Sequence, residues 1–446
     1  MTWVLDGLEA TVVGSIGPTL EKRSTLGLSH SEVGLAGTVY LAGAVAGALL
    51  FGYLTDRLGR KRLFTITLGI YMCGAVSTAC AWSFMSFAAF RFVTGMAIGG
   101  EYAAINSAID ELIPARLRGR IDQIINGTYW IGAAAGAGVT GILLNRAAVP
   151  EWLGWRIAFG LGATVGGAMV LARRYVPESP RWLLTHGRQA EADAVMVSIE
   201  RHAIGRDALP PVERRITIDP GRPVGIGLVI RTLLLTYRRR AILCLVLISA
   251  QAFFYNGISF TYPLVLHEFF DVPAAETPRY MLYFAVANFL GPLFLGSLFD
   301  SIGRRIMITA TYATAGVLIT IDELVLRQYG FAAGAQTLTW CVAFFFASAA
   351  ASAGYLTVSE IFPVEMRALS IALFYVLGTA IGGLAAPALF GALIETHQFN
   401  LVSYGYLFGA MLMLIAAGVE MAFGVDAERR GLESIAPPLT ESRPST

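Results

Sequence analysis

The chain has 446 residues, of which 55% are hydrophobic and only 14% charged, with 48 glycines and a mean hydropathy of +0.61. That composition excludes an ordinary soluble globule and points to an all-α integral membrane protein that crosses a bilayer many times. The formal net charge of +2 comes mostly from arginines that punctuate apolar runs, without a basic face interleaved with stacking aromatics, so no nucleic-acid partner is expected.

Apolar runs of roughly 18 to 25 residues are long enough to span hydrocarbon. They are expected near 3–20, 33–55, 63–82, 85–109, 122–145 and 155–175, and again near 241–265, 280–299, 306–326, 337–359, 368–394 and 401–424. Twelve transmembrane helices in two six-helix bundles follow: residues 1–175, then 241–424. Between them, 176–240 reads as a linker, with one or two short amphipathic helices over 180–203 and a basic stretch lying on the membrane surface over 221–240. The end, 425–446, carries Pro437, Pro438 and Pro444 among Ser, Thr and Glu and reads as a disordered tail. The first span begins almost at once and carries Asp6 and Glu9, unlike a cleavable signal, which leaves room for a longer native N-terminus.

The loops alternate in charge. One side holds Arg57, Arg60, Lys61 and Arg62, then Arg116, Arg118 and Arg120, then the linker, Arg304 and Arg305, Arg367, and Arg429 and Arg430. The opposite side is mixed, with Glu21, Lys22, Arg23 and Glu32, a near-chargeless turn at Ser83, Arg146 and Glu151, then Glu268, Asp271, Glu276 and Arg279, and Glu395 with His397. By the positive-inside rule both termini and the linker are expected in the cytoplasm of a bacterial-type cell membrane.

Two signatures occur twice. Gly52-Tyr-Leu-Thr-Asp56-Arg57-Leu-Gly59-Arg60-Lys61-Arg62 returns about 245 residues later as Gly296-Ser-Leu-Phe-Asp300-Ser-Ile-Gly303-Arg304-Arg305, the mark of a duplicated half. Glu111-Leu-Ile-Pro114-Ala-Arg-Leu-Arg118 returns as Glu360-Ile-Phe-Pro363-Val-Glu-Met-Arg367. In each, proline ends a helix and leaves a Glu and an Arg at the membrane surface. Exposed ion pairs of about 0 to 1 kcal/mol are readily made and broken between states, so these residues are candidates for a cytoplasmic gate, with Asp56 able to meet arginines or a helix N-terminus across the bundle interface.

Charges inside a bilayer cost on the order of 3 kcal/mol unless paired or hydrated, which singles out Asp6, Glu9, Arg91 and Glu101. Asp6 and Glu9 share one face of the first helix; Glu101 lies ten residues, about three turns, beyond Arg91. A carboxylate beside a buried arginine can take a proton once the pair is disturbed. A static structural pair is the alternative for Glu9 with Arg91, and Asp6 could simply face the headgroups. Asn126, Tyr129, Gln251, Tyr255, Asn256, Tyr262, Asn288 and Tyr355 could together line a hydrated cavity for a small polar ligand, although any one alone could be an interhelical hydrogen bond. Glycines at 132, 136 and 141, and at 378, 382 and 383 before Pro387, allow close packing or bending.

No cofactor or metal is expected: the four cysteines, at 73, 80, 244 and 341, sit in apolar runs without CxxC spacing, and the five histidines lie near loops. Neither HExxH nor a phosphate-binding P-loop occurs, so no enzyme chemistry is implied.

Taken with Arg91-x-x-x-Gly95 and Pro177-Glu178-Ser179-Pro180-Arg181-Trp182-Leu183, these motifs resemble the major facilitator superfamily, in its sugar-porter and metabolite:proton symporter branch. The resemblance covers the chain to about residue 435. It implies two six-helix bundles rocking about a central site, with the loop acids and arginines, Glu178 and Arg181 among them, bracing the cytoplasmic side. It also makes Glu9, in Gly7-Leu-Glu9-Ala-Thr-Val-Val, similar to the family's proton acceptor and Arg91 its partner. Asn126 stands where sugar porters usually carry glutamine, and Tyr355 where they carry tryptophan, whereas Gly99-Gly100-Glu101-Tyr102 looks more like metabolite and organic-acid symporters. The expected function is symport of a small metabolite with a proton by a monomer in the lipid bilayer. A sugar or polyol competes with an organic acid, which Arg91 could meet if Glu9 were protonated. A non-transporting nutrient sensor is the alternative from another class.

Overall fold

The computed structural model describes residues 2–113, 117–144, 149–173, 178–185, 187–204, 226–273, 276–325, 332–363, 366–437 and 439, and no strand occurs among them. The first half contains α1 (Thr2–Leu20), α2 (His30–Leu58), α3 (Arg60–Ala79), α4 (Phe84–Leu112), α5 (Arg118–Leu143) and α6 (Glu151–Arg173). The linker holds α7 (Pro180–Thr185), α8 (Gln189–Ile204) and α9 (Ile226–Leu235). The second half contains α10 (Arg238–Phe270), α11 (Thr277–Ser301), α12 (Arg304–Leu324), α13 (Ala333–Ile361), one span built from α14 (Arg367–Gly378), a π-helical turn (Thr379–Gly383) and α15 (Ala385–Glu395), and finally α16 (Phe399–Phe423). Short α17 (Leu432–Ile435) follows.

The twelve expected spans correspond to these twelve long helical segments, most of them a few residues longer than the apolar runs. The start of α2 shows one reason: Ser29 and Glu32 form a capping box, in which the Ser29 side chain accepts from the Glu32 backbone N–H and Glu32 accepts from that of Ser29. Among the described residues nine helical segments are apolar throughout a membrane-spanning window. The other three, α1, α4 and α5, carry Asp6 and Glu9, Arg91 and Glu101, and Asp122, Gln123 and Asn126. Polarity is concentrated in the helices that surround the site. The outer face is apolar, with Leu49, Leu50, Val76, Ile142, Phe294 and Leu338 exposed, as a lipid-facing surface requires.

Close backbone approach sets the positions of these polar helices. An added Cβ at Gly7 would lie 1.8 Å from the Tyr129 carbonyl oxygen, and one at Gly132 would lie 1.8 Å from that of Val4. Only glycine permits this contact, and it sets Asp6 on α1 beside Asn126 and Tyr129 on α5. Glycines at 43, 47, 95 and 99 join α2 to α4 in the same way, each with a carbonyl oxygen of the other helix 1.9–2.2 Å from an added Cβ.

The segment expected as a disordered tail differs from that reading over its first part. Ala427, Leu432, Ile435 and Ala436 are buried, and Arg240 donates to the Ile435 carbonyl at 3.1 Å. Leucine and isoleucine three residues apart bury one face against the second bundle, which outweighs the polar composition around them.

Candidate functional site

Between the bundles, α1, α2, α4 and α5 of the first half and α10, α13, α14 and the π-turn of the second enclose a cavity of about 150 Å³. Six of the eight polar residues expected to line such a cavity, Asn126, Tyr129, Gln251, Tyr255, Asn256 and Tyr355, do so, and Tyr262 and Asn288 are not among its lining residues. Tyr255 donates to Asn288 Oδ1 at 2.9 Å, and Asn256 Nδ2 donates to the Ala252 carbonyl at 2.8 Å. Asn126 Nδ2 donates to Asp122 at 3.0 Å. Tyr262 lies elsewhere, bonded to Thr337 inside the second bundle.

The cavity is more aromatic than the sequence suggested. Trp3, Tyr40, Tyr102, Trp130 and Tyr375 join Tyr129, Tyr255 and Tyr355 in its wall. Tyr102 of the first half stacks on Tyr375 of the second with centroids 4.5 Å apart, and Trp3 lies 5.9 Å from Tyr355. These rings come from segments far apart in the chain, and nothing in the sequence around any one of them marks its partner. The π-turn, a feature that often marks functional sites, begins one turn beyond Tyr375 and brings Thr379 into the wall.

Asp6 faces this cavity. The Tyr40 hydroxyl donates to Asp6 Oδ1 at 2.6 Å, and the Tyr102 hydroxyl donates to its Oδ2. Glu9, one turn along α1 and fully buried, stands behind that wall. Arg91 Nη1 pairs with Glu9 Oε2 at 2.5 Å, and the Tyr71 hydroxyl donates to Glu9 Oε1 at 3.0 Å. The guanidinium carbon lies 4.3 Å from the centroid of the Tyr40 ring. Tyr40 therefore touches both elements: its ring covers Arg91 and its hydroxyl holds Asp6. Glu101 is separate from them and accepts from Thr67 at 2.9 Å.

At the end that carries the basic loops, the halves are latched. The carboxylate of Asp300 on α11 accepts from the Gly119 and Arg120 backbone N–H groups at 3.2 and 2.8 Å, capping the N-terminus of α5 in the other half. Arg304 donates to Asp300 at 2.9 Å and to both oxygens of Glu360 at 3.0 and 3.1 Å. Arg118 approaches Glu360 at 3.5 Å from across the interface. The expectation of exposed, weak pairs is corrected here: Glu360, Arg304, Arg118 and Asp300 are all buried, so these contacts act with little solvent screening. Arg367 is buried and donates to the Phe362 carbonyl at 3.4 Å. Glu178 caps the start of α3 within the first half, accepting from Lys61 N–H at 3.2 Å beside Gly59, whose φ of +85° suits glycine. The side chains of Asp56, Arg57, Arg60, Glu111 and Arg181 lie outside the described residues. Gly119, which follows Arg118 at the end of the Glu111 signature, packs against the latch: an added Cβ there would lie 2.1 Å from Arg304 Nη1.

Toward the opposite end a second cavity is lined by Glu21, His267, Glu268, Glu395 and His397. Gly14 in its wall packs near Ser259 in the wall of the central cavity, where an added Cβ would lie 3.7 Å from the Ser259 carbonyl oxygen. The halves are thus latched at the basic end.

A two-bundle membrane protein with an aromatic-walled cavity holding a buried carboxylate between its halves, latched at one end, is a solute transporter of alternating-access design. The chain belongs to the sugar (and other) transporter family, whose profile matches residues 11–437, within the major facilitator superfamily. It is similar to the niacin transporter NiaP of Acinetobacter baylyi, 27% identical over 441 residues that cover 97% of this chain and 94% of that one. A D-xylose transporter of Levilactobacillus brevis is 24% identical over 383 residues, covering 82% and 79%. In fold the chain resembles the proton:xylose symporter XylE of E. coli, with a TM-score of 0.77 at 18% identity over 97% of this chain and 96% of that one.

Proposed function

We propose that the protein carries one small polar solute together with a proton into the cell, as a monomer in a bacterial-type cytoplasmic membrane with both termini inside. The observation that carries the coupling is the Glu9–Arg91 pair at 2.5 Å, sealed behind the cavity wall and joined to it through Tyr40. Proton uptake by Glu9 removes the counter-charge of Arg91. The guanidinium is then free to move, and Tyr40, which lies over it, transmits that movement to Asp6 and the bound solute. Rocking of the bundles requires the contacts of Asp300 and Arg118 across the interface to break, and they re-form when the empty protein returns. The orientation follows from the arginines at the latched end.

The names of the relatives favour a one-ring metabolite. The organic-acid reading keeps the support of NiaP, whose named substrate, niacin, is an aromatic carboxylic acid, although Arg91 lies outside the cavity lining and is held by Glu9. The test is uptake by proteoliposomes under an imposed pH gradient, acidic outside. Glu9→Gln is expected to abolish accumulation above equilibrium while sparing solute exchange; undiminished accumulation would sink the coupling.

A further inference from the structure

We propose that the solute is an organic cation of about one ring, whose ammonium- or pyridinium-type group sits against Asp6 among the cavity's aromatic faces. The proposal rests on the transport reading above and adds the charge of the cargo.

The first observation is the distribution of charge. Asp6 lines the cavity, and Glu21, Glu268 and Glu395 line the second cavity toward the opposite end. Among the described residues lining either space there is no lysine or arginine; His267 and His397 are the other ionisable nitrogen bearers, and His397 is 2.5 Å from Glu268. Carboxylates in low-dielectric surroundings without basic side chains beside them concentrate cations and repel anions.

The second observation is the unmet hydrogen-bonding capacity inside. Asn126 Oδ1 and Gln251 Oε1 belong to lining side chains more than nine-tenths buried and have no partner among the described residues. The bond from Asn126 Nδ2 to Asp122 fixes the carbonyl as the group left over. Both are acceptors, and together with the Asp6 carboxylate they call for a donor-rich ligand. Trp3 Nε1 is a lining donor likewise without a partner among the described residues; it is neutral and suits a hydroxyl or carbonyl oxygen on the same solute.

The third observation is the wall itself. Tyr102, stacked on Tyr375 with Trp3 and Tyr355 nearby, gathers aromatic rings beside the Asp6 carboxylate, which accepts from the Tyr102 hydroxyl; a cation held there gains cation–π attraction wherever it meets a ring face. An anionic solute would meet the Asp6 carboxylate in the cavity wall. The nearest permanent cation inside the first bundle, Arg91, is 1% exposed and already paired. A neutral sugar could use the acceptors but would gain nothing from the charge of Asp6.

The test is binding to the purified full chain at neutral pH without any gradient, read by thermal unfolding and by competition. The probes are three of one shape and different charge, benzylamine, benzyl alcohol and benzoate, with D-xylose as a non-aromatic neutral. Benzylamine is expected to bind at least about tenfold tighter than benzyl alcohol, and benzoate to give no shift. Asp6→Asn is expected to remove most of the benzylamine preference while leaving benzyl alcohol within about threefold; the wild-type ranking stands as a test even if that variant does not fold. Benzoate or xylose binding as well as benzylamine, or benzylamine giving no shift, would overturn the proposal. Because no gradient is present, these results are independent of whether Glu9 couples a proton.

Discussion

Replacing Asp300 with asparagine probes the latch directly. In the closed form this carboxylate accepts two backbone N–H groups from the other half, at 3.2 and 2.8 Å, and a guanidinium of its own half at 2.9 Å. Hydrogen bonds to a charged group contribute about 1.5–3 kcal/mol each. Asparagine keeps one acceptor oxygen, so about one cross-interface bond and the charge at the α5 N-terminus are lost. The closed form should therefore lose about 2–4 kcal/mol relative to the form open at the basic end, roughly a 30- to 700-fold shift in their ratio. Spin labels at the exposed positions 62 on α3 and 301 on α11 would read this in reconstituted protein by double electron–electron resonance. A longer distance population should appear in the variant and dominate if the wild type favours the closed form by less than the shift. An unchanged distribution in a variant that melts normally would refute the idea that Asp300 holds the halves together.

Gly119→Ala should act in the same direction, because its Cβ would lie 2.1 Å from Arg304 Nη1 and 2.7 Å from Asp300 Oδ1; the same labels would check it, and a wild-type distance distribution would show that the latch tolerates a methyl group. Arg91→Leu strands Glu9 in the first bundle and should cost about 3–5 kcal/mol of stability, seen as a lower thermal midpoint. The double variant with Glu9→Gln should recover more than half of that loss, and failure to recover would mean that Arg91 matters for packing rather than for charge. Gly7→Val should prevent assembly of α1 against α5, since the Tyr129 carbonyl oxygen lies 1.8 Å from an added Cβ; normal yield and melting in detergent would contradict the close approach.

The fold was largely legible because each span must supply its own apolar length, and because the repeated Asp/Arg loops and Glu-x-x-Pro segments mark equivalent helix ends in two halves. Helix ends were less legible: the Ser29/Glu32 capping box extends α2 beyond its apolar run, a local signal that hydropathy does not register. Glu9 and Arg91 could be paired in advance, since each buried charge needs a counter-charge. The tyrosines on Asp6 and Glu9 could not. Tyr40, Tyr71 and Tyr102 lie 34, 62 and 96 residues from their carboxylates, and a tyrosine on a membrane helix serves equally well as an interfacial anchor. Burial of the latch charges was also illegible. Proline-terminated helices place Glu360 and Arg118 near the surface, and only contact between the halves takes them out of water.

The most direct test of coupled movement is proton uptake driven by the solute alone. Proteoliposomes with a pH-sensitive dye inside and no imposed gradient receive, from outside, the solute that most stabilises the purified protein. The lumen should acidify with wild-type protein as solute and proton enter together, and should stay neutral with Glu9→Gln although labelled solute still equilibrates. Solute entering through the wild type with no change in luminal pH would contradict the account.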